Sequence, residues 1–168
     1  MTAPVLPAGI RPATVDDVAA ILDLIGELAE YERARDQVKT TPDQLRAALF
    51  GPSPAVHALV ADLDGDVIGF ALYFLSFSTW EGVHGIYLED LYVRAQHRGS
   101  GVGKALLSAL AAIAVGRGYA RVEWWVLDWN EPSIEFYRRL GAVAMDEWTV
   151  FRLTGDALTA AAAHSGNP

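Results

Sequence analysis

At 168 residues the chain suffices for one domain with a sizeable core, and its zero cysteines exclude disulfide staples, thiolate metal sites and a cysteine nucleophile. A formal net charge of −8 repels phosphate backbones and argues against a nucleic-acid partner. Hydrophobic residues make up 52% of the chain, yet no apolar run nears the roughly 20 residues a bilayer span needs and the N-terminus has no basic start or signal core, so the expectation is a globular cytoplasmic protein that engages no membrane.

Residues 9–13 read as a short first strand. Thr14 stands where an N-cap belongs, Asp16 and Asp17 follow in the first turn, and Val18, Ile21, Leu22, Ile25, Leu28 and Ala29 recur at helical spacing, which predicts a one-sided helix. Thr41-Pro42-Asp43-Gln44 combines a cap, a proline at the first helical position and a capping-box glutamine, and opens a shorter helix to about Phe50. Residues 56–63 and 67–77 are strands joined by the hairpin signal Asp64-Gly65, so they should pair antiparallel. Residues 84–93 form the next strand. After a glycine-rich turn, Val102, Ala105, Leu106, Ala109, Leu110 and Ile113 mark a helix that Gly116 or Gly118 ends. Residues 121–127 resume as a strand, Asn130 caps a helix carrying Ile134, Phe136, Tyr137 and Leu140, Gly141 closes it, and residues 142–152 make a last strand. The order β-α-α-β-β-β-α-β-α-β predicts an α/β fold with a mixed sheet and helices on its faces. We expect a single domain over residues 8–154 and a flexible, alanine-rich tail over 155–168.

The segment Arg98-Gly99-Ser100-Gly101-Val102-Gly103-Lys104 lies between a strand and a helix, where free backbone N–H groups suit an anion. A nucleotide-triphosphatase loop requires glycine where Arg98 stands and a hydroxyl where Ala105 stands, so that pattern fails twice. A dinucleotide loop starting at Gly99 meets Lys104 in place of its third glycine and follows an antiparallel hairpin instead of opening a βαβ unit.

Arg98-x-x-Gly101-x-Gly103 does resemble the pyrophosphate signature of the GCN5-related N-acetyltransferase superfamily. Residues 87–93 (YLEDLYV), residues 129–137 (WNEPSIEFY), the opening Arg11-Pro12-Ala13-Thr14 and the segment Glu27-Leu28-Ala29 with Tyr31-Glu32 are similar to its spermidine/spermine (diamine) acetyltransferase branch. The likeness runs in order from about Ile10 to Leu153. It implies that acetyl-coenzyme A is the co-substrate and that its pantetheine arm lies in a gap between two splayed strands. Leu91, Tyr92 and Val93 would contact that arm, with Arg98, Gly99, Ser100, Gly101, Val102, Gly103 and Lys104 around the pyrophosphate and Asn130, Ser133 and Tyr137 on the other side.

The reaction needs a base, because an aliphatic amine with a pKa near 10 is almost all ammonium at neutral pH. A Glu-Asp pair at a strand end is ordinarily a solvent-facing charge, but Glu89 stands beside the loop in an apolar, aromatic strand. Partial burial there would raise its pKa toward a useful range, and the resemblance implies Glu89 as the base and Tyr137 as the acid that protonates the leaving thiolate. Tyr137 also reads as an aromatic packed beside Phe136. No acyl-enzyme is required, so direct transfer in a ternary complex is expected.

For the acceptor the same likeness points to Tyr31, Glu32, Trp80, Glu89, Asp90 and Trp148, an acidic and aromatic set suited to a small cationic amine. Ser78 replaces an aspartate of the branch and Asp146 stands for a glutamate, which weakens the case for long polyamines and leaves diamines and lysine analogues open. His57, His84, His97 and His164 show no ligand spacing, so no metal is expected. A coenzyme A sensor without transfer and a protein-acetylating enzyme are the rival classes. The branch implies a homodimer, for which a last strand with Trp148 and Phe151 would offer an edge.

Overall fold

The computed structural model describes residues 4–163, which fall into two compact units, one through Trp125 and one from Val126. In the larger unit a five-stranded sheet runs β1-β2-β3-β4-β5, with β1 at Ile10–Pro12, β2 at His57–Leu63, β3 at Asp66–Ser78, β4 at Val83–Val93 and β5 at Val122–Glu123. The first four strands pair antiparallel and β5 joins β4 in parallel, so the sheet is mixed and mostly antiparallel, as expected. Asp64 and Gly65 both take positive φ, and the Gly65 N–H donates to Asp62 Oδ1 at 2.8 Å, which makes the tight turn between β2 and β3.

Helix α1 (Val18–Tyr31) lays its stripe of Val18, Ile21 and Leu24 on Ala58, Val60, Phe70 and Leu72 of the sheet. Each such side chain contributes about 1.5–3 kcal/mol when fully buried. Helix α2 (Pro42–Phe50) adds Leu45 and Leu49 to that layer. Its capping box is formed, with Gln44 N–H donating to Thr41 Oγ1 at 3.3 Å and Thr41 N–H donating to Gln44 Oε1 at 2.9 Å. Helix α3 (Val102–Gly116) packs on β2, β3 and β4 with its buried Leu106, Leu110 and Ile113 outside that layer. Residues from Val67 to Tyr73 of β3 are therefore buried without alternation, as both faces are covered. Thr14 does not cap α1 directly; a 3₁₀ turn, Val15–Asp17, intervenes, and the Thr14 N–H and hydroxyl both donate to Asp17 Oδ2.

The smaller unit holds α4 (Glu131–Arg139) and α5 (Gly155–Ala163). Two expectations change here and at the sheet edge. The strand foreseen at residues 121–127 shrinks to two residues, since β4 offers β5 pairing at Ile86 and Tyr87 alone. Residues 142–152 form no strand: a strand needs a partner ladder, none is provided among the described residues, and Val143, Trp148 and Phe151 stand exposed. Gly155–Ala163 is helical, where alanines favour helix and Asp156 lies in the first turn.

Candidate active site

The site is built where β4 leaves the regular sheet. Leu72 pairs with Asp90 and Tyr73 with Leu88, so Glu89 is an extra residue in β4, a β-bulge. Bulges end pairing on the neighbouring side, and no described strand pairs with β4 beyond Tyr87 there. Leu91, Tyr92 and Val93 thus lie on the stretch of β4 that β5 leaves open. An extended chain with amide groups, such as a pantetheine arm, fits such an edge because it can bond to strand backbone.

Val93 leads into the glycine turn. Gly99 has φ of 77° and Gly101 of 90°, a region closed to most side chains, and Gly101 occupies the N-cap position of α3 with no side-chain cap. The first helical bond runs from Ala105 N–H to the Gly101 carbonyl, so the amides of Val102, Gly103 and Lys104 have no helical acceptor. No carboxylate stands in the first turn of α3. These donors and the helix dipole suit a diphosphate. Ser100 contributes backbone here, as its hydroxyl turns back to the His97 carbonyl at 2.6 Å.

Arg98 is held against the end of β4 and the end of α1. Its Nε donates to the Val93 carbonyl at 2.9 Å, and its guanidinium lies 4.9 Å from the centre of the Tyr31 ring and 5.1 Å from that of Tyr92.

Glu32, at the C-terminus of α1, lines a cleft of about 190 Å³ with Asp90, Gln37 and the apolar Ile25, Leu28 and Val38. Burial, reinforced by repulsion from Glu89 and Glu32, pushes the Asp90 carboxyl up to about 6, and burial also raises that of Glu32. Neither carboxylate has a cationic partner among the described residues. Glu89 is exposed at the bulge, against the expectation of partial burial. The less exposed member of the pair is the half-buried Asp90, which faces Ile25, Leu28 and Glu32 of α1 across the cleft.

The remaining residues divide. Tyr31 and Glu32 are brought to Asp90 and the glycine turn, whereas Trp80 is 91% exposed in the turn between β3 and β4. Asp90 lies seven positions beyond Val83 at the start of β4, about 23 Å of strand, so Trp80 stands away from this cleft. Ser78 is buried, its hydroxyl accepting the Glu81 N–H at 3.2 Å to build that turn. In the smaller unit Asn130 is buried at the N-cap of α4 and Ser133 opens its first turn. Tyr137 is half-buried with its ring 5.4 Å from Phe136, and Trp148 is 70% exposed.

Three cleft-wall residues, Ala34, Gln37 and Val38, escaped the sequence reading, since the segment after α1 carries no periodicity or motif. Among the described residues no group of three His, Asp or Glu side chains could hold a metal ion, and no helix is long and apolar enough to cross a membrane. His164 lies outside the described residues.

The model of the Acetyltransferase (GNAT) family matches residues 21–142. Thialysine N-epsilon-acetyltransferase of Bos taurus is 42% identical, over 89% of this chain and 94% of its own length. Spermidine/spermine N(1)-acetyltransferase-like protein 1 of Homo sapiens is 32% identical over 89% of this chain and 23% of that protein. Among solved structures, an integron cassette protein from the mobile metagenome of V. cholerae superposes with a TM-score of 0.77 at 25% identity, covering 91% of this chain and 96% of that one.

Proposed function

Because the chain belongs to the acetyltransferase (GNAT) family, we propose that this N-acetyltransferase moves an acetyl group from acetyl-coenzyme A to the side-chain amine of a lysine-like amino acid, with short diamines as further acceptors. The observation that carries the acceptor class is the cleft at Glu32 and Asp90. Two carboxylates without a cationic partner attract an ammonium, and apolar walls from Ile25, Leu28 and Val38 suit its methylenes. At about 190 Å³ the cleft is smaller than the roughly 300–1,000 Å³ of drug-sized sites, which favours an aminoalkyl chain over a folded peptide. The name of the bovine relative, which acts on the ε-nitrogen of thialysine, supports the amino-acid reading. The human relative supports diamines.

Acetyl-coenzyme A supplies an activated thioester when bound. The open stretch of β4 at Leu91, Tyr92 and Val93 would hold its arm, and the amides of Gly99 to Lys104 its diphosphate, with Asn130 and Ser133 of α4 as further contacts. Glu32 and Asp90 hold the ammonium, and Glu89, exposed at the bulge, takes its proton through a water, leaving the amine lone pair free to attack. Main-chain N–H groups near Leu91 to Val93 polarise the carbonyl. As the new C–N bond forms and the C–S bond breaks, Tyr137 would donate its phenolic proton to the departing sulfur, and the second proton shed by the acetylated nitrogen would restore the phenol. We read residues 8–154 as one catalytic domain, since the family match runs through both units.

A homodimer in the cytoplasm completes this reading. Trp80 stands too far along its hairpin to reach Asp90 of the same chain, so as a substrate residue it faces the partner's cleft. Thiol release from acetyl-coenzyme A, followed over a panel of thialysine, ornithine, putrescine and spermidine, tests the proposal. Turnover should be fastest with thialysine or ornithine; coenzyme A binding without release on every amine would leave a sensor instead.

A further inference from the structure

We propose that Arg98 is a positioning residue that couples the diphosphate turn to the amine cleft, so that cofactor and acceptor bind with positive cooperativity. This rests on the reading of Glu32 and Asp90 as the acceptor site. Arg98 directly precedes Gly99, and Tyr31 directly precedes Glu32. The guanidinium joins the two: anchored by Nε on the Val93 carbonyl at 2.9 Å, it is set 4.9 Å from the Tyr31 ring centre and 5.1 Å from that of Tyr92. Arginine's planar fork stacks on aromatic rings while donating in its own plane, a combination lysine cannot reproduce.

The same end of α1 is held from a second side. Glu27 lies four residues before Tyr31, on the same helix face. It accepts from Arg94 Nε at 3.1 Å, and Arg94 directly follows β4, whose Tyr92 ring lies under the Arg98 guanidinium. The C-terminal turn of α1 is thereby tied to β4, and Arg98 is the member of this network that belongs to the glycine turn. A diphosphate that orders the amides of Gly99 to Lys104 also fixes the backbone of Arg98, and through its side chain the position of Tyr31. Glu32 follows, and with it the spacing of the carboxylates that receive the amine. Linkage makes the effect reciprocal.

Calorimetry with coenzyme A, which has no acetyl group to transfer, and thialysine reads the coupling directly. In the native protein, saturating coenzyme A should tighten thialysine by about two- to fivefold, the range expected of an exposed cation–π contact. Arg98→Ala and Tyr31→Leu should bring that ratio to one, and Tyr31→Phe, which keeps the ring, should retain it. Hydrogen exchange at the last turn of α1 should slow on coenzyme A binding in the native protein and not in Arg98→Ala. A native ratio of one overturns the proposal. So does an Arg98→Ala protein that binds coenzyme A less tightly yet keeps the native ratio, the mark of a plain phosphate contact. If Arg98→Ala binds no coenzyme A, Tyr31→Leu, outside the turn, decides the matter. Failure of the acceptor reading is separate: Glu32→Gln would then bind thialysine as the native protein does, or thialysine would not bind at all, and the exchange experiment would still judge Arg98.

Discussion

Asp17 and Asp90 are both poorly solvated aspartates of the same unit, and their surroundings treat them oppositely. Asp17, 6% exposed, receives both Arg11 Nη atoms at 2.7 and 2.9 Å, while the Thr14 N–H and hydroxyl complete its shell. Those bonds, that of Arg11 foremost, pull its carboxyl down to about 2. Asp90 meets burial and two more carboxylates, and rises to about 6. The first arrangement joins the start of α1 to the sheet, with Asp62 of β2 also accepting from Arg11. The second stores negative charge that the fold leaves unmatched, at a cost a ligand cation can offset. Where a protein keeps carboxylates without partners in a cleft, the missing partner is a candidate for the substrate.

Four experiments would break or sharpen this contrast. Glu89→Gln removes the proposed base beside the unmatched pair and should lower kcat by about 10²- to 10⁴-fold, with little change in the urea midpoint because the side chain is exposed. Next in size, Asp17→Asn should destabilise the fold by about 2–3 kcal/mol at pH 7, read by urea unfolding, while kcat stays near native. Because the Asp17 pKa is depressed, the stability it contributes is present above about 4 and disappears as pH falls through about 2.

Asp90→Asn carries the opposite sign. A carboxyl raised from 3.8 to about 6 disfavours folding as pH climbs between those values and fully above them, so the variant should gain on the order of 2 kcal/mol at pH 7 and nothing below pH 4. Its KM for the amine should rise, whereas in the native protein that KM should fall as pH increases through about 6. A variant less stable than native at pH 7 would remove the idea of stored charge. Smallest of the four, Gly101→Ala places a side chain at φ of 90° and should cost about 1 kcal/mol, with weaker coenzyme A binding by calorimetry and an unaltered Asp90 titration.

Local chemistry was legible from the residues. Thr41 with Gln44, Asp64 with Gly65, and the apolar spacing of Val18, Ile21 and Leu24 each state a short-range rule that the fold obeys. So does the glycine turn, whose positive φ values at Gly99 and Gly101 explain why glycine is there. Residues 142–152 misled because β-propensity describes a willingness to pair and cannot supply a partner. The walls Gln37 and Val38 were illegible for a similar reason, as an irregular segment gains meaning from what it packs against.

By itself, then, the amino-acid sequence determined the order of elements as far as α4 and the glycine turn before α3, since these depend on residues within a few positions of one another, and its motifs carried the likeness that names the acetyltransferase class. The tertiary structure alone decided which of Glu89 and Asp90 is more solvated, because only the docking of α1 fixes which part of β4 is covered. It also decided that Arg98 would lie against Tyr31, a pairing across 67 positions that only the docking of α1 on β4 creates.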